Sequence, residues 1–116
     1  MNPTPSDIKL LQKTRIVEIL FDNGEKFCLP CEYLRVFSPS AEVKNYRHKG
    51  RLVSGKQNVN IINIEPVGHY AIRFIFDDNH QSGIYSWETL YELSTHYTEY
   101  WDYYLQQLSL ESVSRE

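Results

Sequence analysis

Cysteine is scarce in this chain: Cys28 and Cys31 are the two in 116 residues. Two cysteines cannot make a disulfide framework, so the fold must rest on a hydrophobic core. Long apolar runs are also missing. None approaches the roughly eighteen residues needed to cross a bilayer, so no membrane span is expected. Met1 to Asp7 lack the basic and apolar regions of a signal peptide, and a cytoplasmic location is the expectation. Charge of one sign is absent twice. Val43 to Ile64 contain no acid but carry Lys44, Arg47, Lys49, Arg51 and Lys56; Trp87 to Leu110 contain no Lys or Arg but carry Glu88, Glu92, Glu99 and Asp102. A chain of net charge −3 thus has a basic loop and an acidic helix, and each can steer a partner of opposite sign.

The composition, 41% hydrophobic and 23% charged, is that of an ordinary globular domain and excludes a disordered or fibrous chain. Residues 1–7 read as a flexible arm, 8–108 as one small domain and 109–116 as a polar tail. Ile8 to Lys13 suit a first strand, and Val17, Ile19 and Phe21 alternate against Glu18 in a second. Asn23-Gly24 between two apolar runs predicts a hairpin, with Lys26 to Leu29 returning. Pro30 to Val36 suit a short helical turn, which Pro39 breaks by pushing Ser38 out of the helical region. Asn58 to Ile61 alternate, then Ile62 to Ile64 alternate in the opposite phase, which suggests a bulge or, equally, an irregular edge.

Val67 to Trp87 organise the rest. Tyr70, Ile72, Phe74 and Phe76 share one strand face, Asp77 to Gly83 form a polar turn holding His80, and Ser86 can cap a helix beginning at Trp87. Phe76-Asp77-Asp78-Asn79 faintly echoes Phe21-Asp22-Asn23-Gly24, too little for a repeat. From Trp87 to Leu108 the spacing predicts a long helix whose apolar arc, from Trp87 through Tyr91 and Tyr100 to Leu108, covers about half the circumference, more than the roughly 100° a one-sided helix needs. The excess is available to a loop or another molecule, and Ser94-Thr95-His96 is weak helix sequence that marks a kink or break. The fold class is α+β: a small, mostly antiparallel sheet of hairpins packed against a long C-terminal helix.

Few motifs carry chemistry. Cys28-Leu29-Pro30-Cys31 has the spacing of a thioredoxin-like redox pair, but the βαβ scaffold is missing, and two reduced, partly buried thiols are the plainer reading. The pair is also half of a zinc set that His80 with His48 or His69 would complete, though a second paired ligand motif is lacking. Gly50 to Gln57 match a phosphate loop except at the last position, and strand rather than helix follows, which excludes nucleotide hydrolysis and leaves an anion-holding loop or a solvated basic one. One aromatic, Tyr46, beside five cations is a thin case for nucleic acid. Asp77, Asp78 and His80 read as turn formers before acid–base groups. There is no Ser–His–Asp pattern and no H-x-x-x-H helix pair.

Leu29 to Val43, Ile64 to Ala71 and Phe76 to Trp87, with Leu90, Leu93, Trp101, Tyr104 and Leu105 in the last helix, make the chain resemble the gamma-butyrobetaine hydroxylase-like N-terminal domain family, of unknown function. The resemblance runs from about Ile8 to Leu108. In the carnitine-pathway hydroxylases such a domain precedes an iron- and 2-oxoglutarate-dependent oxygenase domain and holds structural zinc through three cysteines and a histidine. The matching positions are Ser38, Ser40 and Val43, with His80 as the histidine, so the zinc site does not carry over. The oxygenase's H-x-D/E motif is also unmatched: Gly50, Ala71, Ser82 and Thr98 stand two residues after the four histidines. Other members stand alone or are fused to P-loop ATPases carrying iron–sulfur clusters, which points by analogy to metal-cofactor handling.

The expectation is therefore a non-catalytic cytosolic module, without a cofactor, that binds another protein. An iron–sulfur carrier ATPase or an oxygenase would be the partner, or a second copy would make a homodimer; membrane is not expected and nucleic acid is disfavoured. Lys44, Arg47, Lys49, Arg51, Lys56, Tyr91 and Tyr100 are the candidates for partner or anion contact. The alternative is a zinc- or iron-binding domain using His80 with Cys28 and Cys31. Replacing His80 is expected to cost fold stability or partner binding, not catalysis.

Overall fold

The computed structural model describes residues 3–40, 54–81 and 83–110. Strands β1 (Pro5–Leu11), β2 (Ile16–Phe21) and β3 (Lys26–Pro30) form one antiparallel sheet and lead into helix α1 (Cys31–Val36). Strands β4 (Ile61–Val67), β5 (Ala71–Phe76) and β6 (Ile84–Ser86) form a second, and lead into α2 (Trp87–Thr95) and α3 (Tyr97–Leu110). The fold is α+β as expected, with two three-stranded sheets in place of one. β1 starts at Pro5, inside the stretch read as an arm. Lys44, Arg47, Lys49 and Arg51 of the basic loop, Val43, and positions 111–116 of the tail lie outside the described residues.

The main core joins both sheets to α1 and α2, and a smaller cluster of Val36, Tyr104 and Leu108 joins α1 to α3. Val17, Ile19, Phe21 and Leu29 from the first sheet meet Ile61, Phe74, Phe76 and Tyr85 from the second, with Tyr33 and Leu34 of α1 and Leu90 and Leu93 of α2. The period-two alternation in β2 and β5 places these side chains inward. The phase slip coincides with a register shift between Ile61 and Asn63, opposite Phe76 and Ile75. Tyr70 does not join the inner face: Gly68, at φ +60°, turns the chain so that β5 begins at Ala71, which leaves Tyr70 70% exposed and Ala71 buried.

The C-terminal helix breaks where its sequence is weak. Ser94 Oγ donates to the Leu90 carbonyl (2.7 Å) and Thr95 Oγ1 to that of Tyr91 (3.0 Å), back-bonding that loosens the turn, and His96 ends α2 outside helical geometry. The break lets α3 fold against α1. Tyr33 meets Tyr97 at 4.8 Å and Trp101 at 6.0 Å, and Phe37 stacks on Tyr100 at 5.9 Å. Much of the excess apolar arc thus packs within the chain.

The two halves repeat one another. Phe21 N–H bonds the Glu25 carbonyl and Gly24 N–H the Phe21 carbonyl; Phe76 N–H bonds the His80 carbonyl and Asn79 N–H the Phe76 carbonyl. Gly24 (φ +88°) and Asn79 (φ +70°) take the same left-handed position, where Gly is free of strain and Asn is tolerated. The halves agree outside the turns too: Asp22 and Asp77 N–H donate to the Thr4 and Asn60 carbonyls and their Oδ1 atoms accept from Thr4 and Asn60 N–H, while Cys31 and Trp87 N–H donate to Arg15 and Tyr70 carbonyls. Each helix then closes on the opposite half: Tyr91 of α2 bonds Glu25 (2.6 Å), and Arg35 of α1 bonds Asp78 (2.9 Å). The echo seen in the sequence is a β-β-β-α unit built twice, its helices exchanged.

Candidate functional site

The halves differ most at the His80 turn. Helix α1 is buried along its whole length, Glu32 and Arg35 included. It stops at Phe37, and Pro39 holds the next residues out of the helix. Ser38 is thereby delivered to the second hairpin turn, where its Oγ lies 2.9 Å from His80 Nε2. Asp78 Oδ1 accepts the His80 backbone N–H (3.2 Å), and the His80 ring packs on Phe76 at 5.9 Å. A Cβ on Gly83 would run into Ser38 Oγ, so glycine is required for the close approach. Tyr85, fully buried, donates to the Leu34 carbonyl at 2.6 Å, and burial raises its phenol pKa above the ordinary value.

Beside this pair, Asp78 Oδ2 accepts from Arg35 Nε (2.9 Å) and Lys56 Nζ (2.7 Å). Burial alone would raise the Asp78 pKa; the Lys56 hydrogen bond and the Arg35 charge outweigh it and hold the carboxyl below its ordinary value. Arg35 Nη1 is buried without a hydrogen-bond partner. Sequence reasoning passed over Arg35, since a lone arginine in a six-residue helix carries no signal of a partner forty-three positions away.

Chemically, Ser38 and His80 have the spacing of a nucleophile and its base. Ser38 is 0% exposed and His80 6%, and the Asp78 carboxylate holds the His80 backbone, not its ring. The pair works as an internal clasp between α1 and the hairpin turn.

The zinc of the hydroxylase domains finds no fit among these groups. Ser38 and Ser40 offer neutral hydroxyls where thiolates would be needed, Ser38 Oγ is already bonded to His80, and Val43 lies outside the described residues. His80, Cys28 and Cys31 are not gathered. Cys28 is exposed on β3 opposite Glu18, Cys31 is buried with Sγ 3.8 Å from Asn60 Oδ1, and no group of three His, Cys, Asp or Glu able to hold a metal occurs among the described residues. Burial raises the Cys31 thiol pKa above its ordinary value.

Of the remaining candidates, Lys56 is tied to Asp78, and the cavity of about 280 Å³ it borders is also lined by Asp77, a poor setting for an anion. Tyr91 packs on Phe21 at 5.1 Å while bonding Glu25. Tyr100 lines a cleft of about 400 Å³ with Phe37, Pro39, Thr89, Glu92, Leu93 and Tyr103. Its hydroxyl donates to Glu92 Oε2 (3.0 Å), and its ring is sandwiched between Phe37 and His96. Tyr103, 61% exposed at the rim, lies outside the apolar arc of the helix and was not singled out from the sequence. No helix among the described residues is long and apolar enough to cross a membrane.

No curated protein matches this chain. Solved structures do resemble it. An NMR solution structure shares 47% identity over 98% of this chain and 86% of its own, with a TM-score of 0.82. A second NMR structure shares 37% over 100% of this chain and 92% of its own, with a TM-score of 0.84. A crystal structure of a protein of unknown function from Acidithiobacillus ferrooxidans, in the DUF971 family, shares 34% over 78% of this chain and 92% of its own, with a TM-score of 0.68. The family model described as gamma-butyrobetaine hydroxylase-like, N-terminal, matches residues 8–91. On that match and those likenesses, the chain belongs to the gamma-butyrobetaine hydroxylase-like N-terminal domain family.

Proposed function

We propose that this chain is a non-catalytic module that binds another protein. The observation that carries the reading is a contrast. The polar groups that chemistry would call upon, Ser38, His80 and Asp78, are bonded to one another and to Arg35 and Lys56 inside the fold, while the cleft at Tyr103 presents aromatic and acidic groups to solvent. Exposed aromatic rings beside oriented polar groups are the usual composition of protein contact surfaces. The family's fusions to iron–sulfur carrier ATPases and to oxygenases make such proteins the first partners to try.

The test is calorimetric titration of the purified full chain with a purified partner identified by affinity capture at low salt. Saturable binding at a fixed stoichiometry supports the module. Failure to bind any captured protein again from pure components, or turnover of a small molecule by the chain alone, overturns it.

A further inference from the structure

The cleft between the end of α1 and the α2–α3 pair is lined, among the described residues, by apolar and aromatic groups and one carboxylate. Phe37, Pro39 and Leu93 give it apolar lining, Tyr103 stands exposed at its rim, and Glu92 is its single charged group among the described residues. The Tyr100 hydroxyl fixes Glu92 Oε2 and leaves Oε1 without a side-chain donor among the described residues. From Trp87 to Leu110 the chain adds Glu88, Glu99 and Asp102 and no Lys or Arg.

We propose that this cleft docks an extended, basic segment of a partner protein, one Lys or Arg side chain of which enters it. The proposal rests on the reading of the chain as a protein-binding module and names the chemistry of the partner. Lys and Arg carry an apolar stem and a cationic head, which match an apolar lining and a carboxylate. An exposed tyrosine face at the rim adds attraction for the cation. The other acids of the same two helices, which carry no Lys or Arg, raise the rate of encounter and make it salt-dependent.

The experiment titrates the isotope-labelled full chain with a peptide of arginines spaced by Gly-Ser, and with the same peptide carrying Glu for Arg. The Arg peptide is expected to shift the amides of Phe37, Thr89, Leu93 and Tyr103, with affinity falling as salt rises. Glu92→Gln keeps the acceptor for Tyr100 and removes the charge; Tyr103→Ala removes the rim. Each is expected to weaken the peptide about fivefold. Unchanged affinity in both variants, shifts mapping elsewhere, or equal binding of the Glu peptide would overturn the proposal. So would concentration-dependent shifts at the cleft without peptide, since a second copy would then be the occupant. A purified partner that binds both variants at wild-type affinity overturns the cleft and spares the module. Peptide binding at the cleft with no protein partner found does the reverse.

Discussion

Ser38 and His80, forty-two residues apart, meet through a buried 2.9 Å hydrogen bond directly beneath Gly83. The bond joins the end of α1 to the second hairpin turn, and the missing Cβ of Gly83 makes room for it. Two substitutions therefore act on one small volume. Gly83→Ala is expected to destabilise by about 1–3 kcal/mol through overpacking. Ser38→Ala is expected to cost about 1–3 kcal/mol by removing a buried hydrogen bond to the His80 ring. In the double variant the new methyl meets only ordinary contacts, so its loss should fall short of the sum. A double-mutant cycle in urea measures this; strict additivity would show that the two do not share the space.

Asp78 makes the clasp acid-sensitive. Its folded pKa is depressed below the ordinary 3.8, so its contribution is complete above the unfolded value and is lost as pH falls through the folded one. Asp78→Asn is expected to cost about 2 kcal/mol at neutral pH, leaving Arg35 and Lys56 without their counter-charge. The gap between wild type and variant should then narrow as the pH is lowered below the usual carboxylate range. Unfolding midpoints from neutral to strongly acid pH check this; a gap that widens in acid would contradict it.

Two tyrosines tie the interlocked halves together. Tyr33 donates to the Leu93 carbonyl at 2.7 Å and Tyr85 to that of Leu34 at 2.6 Å, both from fully buried rings. Tyr33→Phe and Tyr85→Phe are each expected to lose about 1–2 kcal/mol, because a buried carbonyl loses its donor while the ring packing stays. Denaturant titration with an unchanged m-value is the measurement.

The two thiols should separate cleanly. Cys28 is exposed, whereas Cys31 is fully buried at the head of α1 with its pKa raised by that burial. A disulfide exchange reagent should label one thiol per native chain and two after denaturation, the second at the rate of unfolding. Fast labelling of both would place Cys31 in a reactive setting and revive the redox reading.

Local features were legible from the residues alone. Asn23-Gly24 set a hairpin, the phase slip at Ile61 to Asn63 set a shift of register, Ser94-Thr95-His96 set a helix break, and alternation in β2 and β5 set the core faces. Each depends on backbone preference or periodicity over a few neighbours, which a sequence expresses directly. Tyr70 shows where that ends: its place in the alternation fits the strand, but a glycine turn two residues earlier delays the strand by one.

What joins distant segments was settled by tertiary structure. The duplicated unit shows in the sequence only as Phe-Asp in two turns, because its other shared features are backbone hydrogen bonds that many side chains allow. The exchange of helices, the Ser38–His80 clasp, and the capture of Arg35 and Lys56 by Asp78 all require segments to meet across 22 to 66 residues. Residue types narrowed His80 to a turn. Only the packing of α1 against that turn decided that its ring would face a serine, in a volume kept open by one glycine.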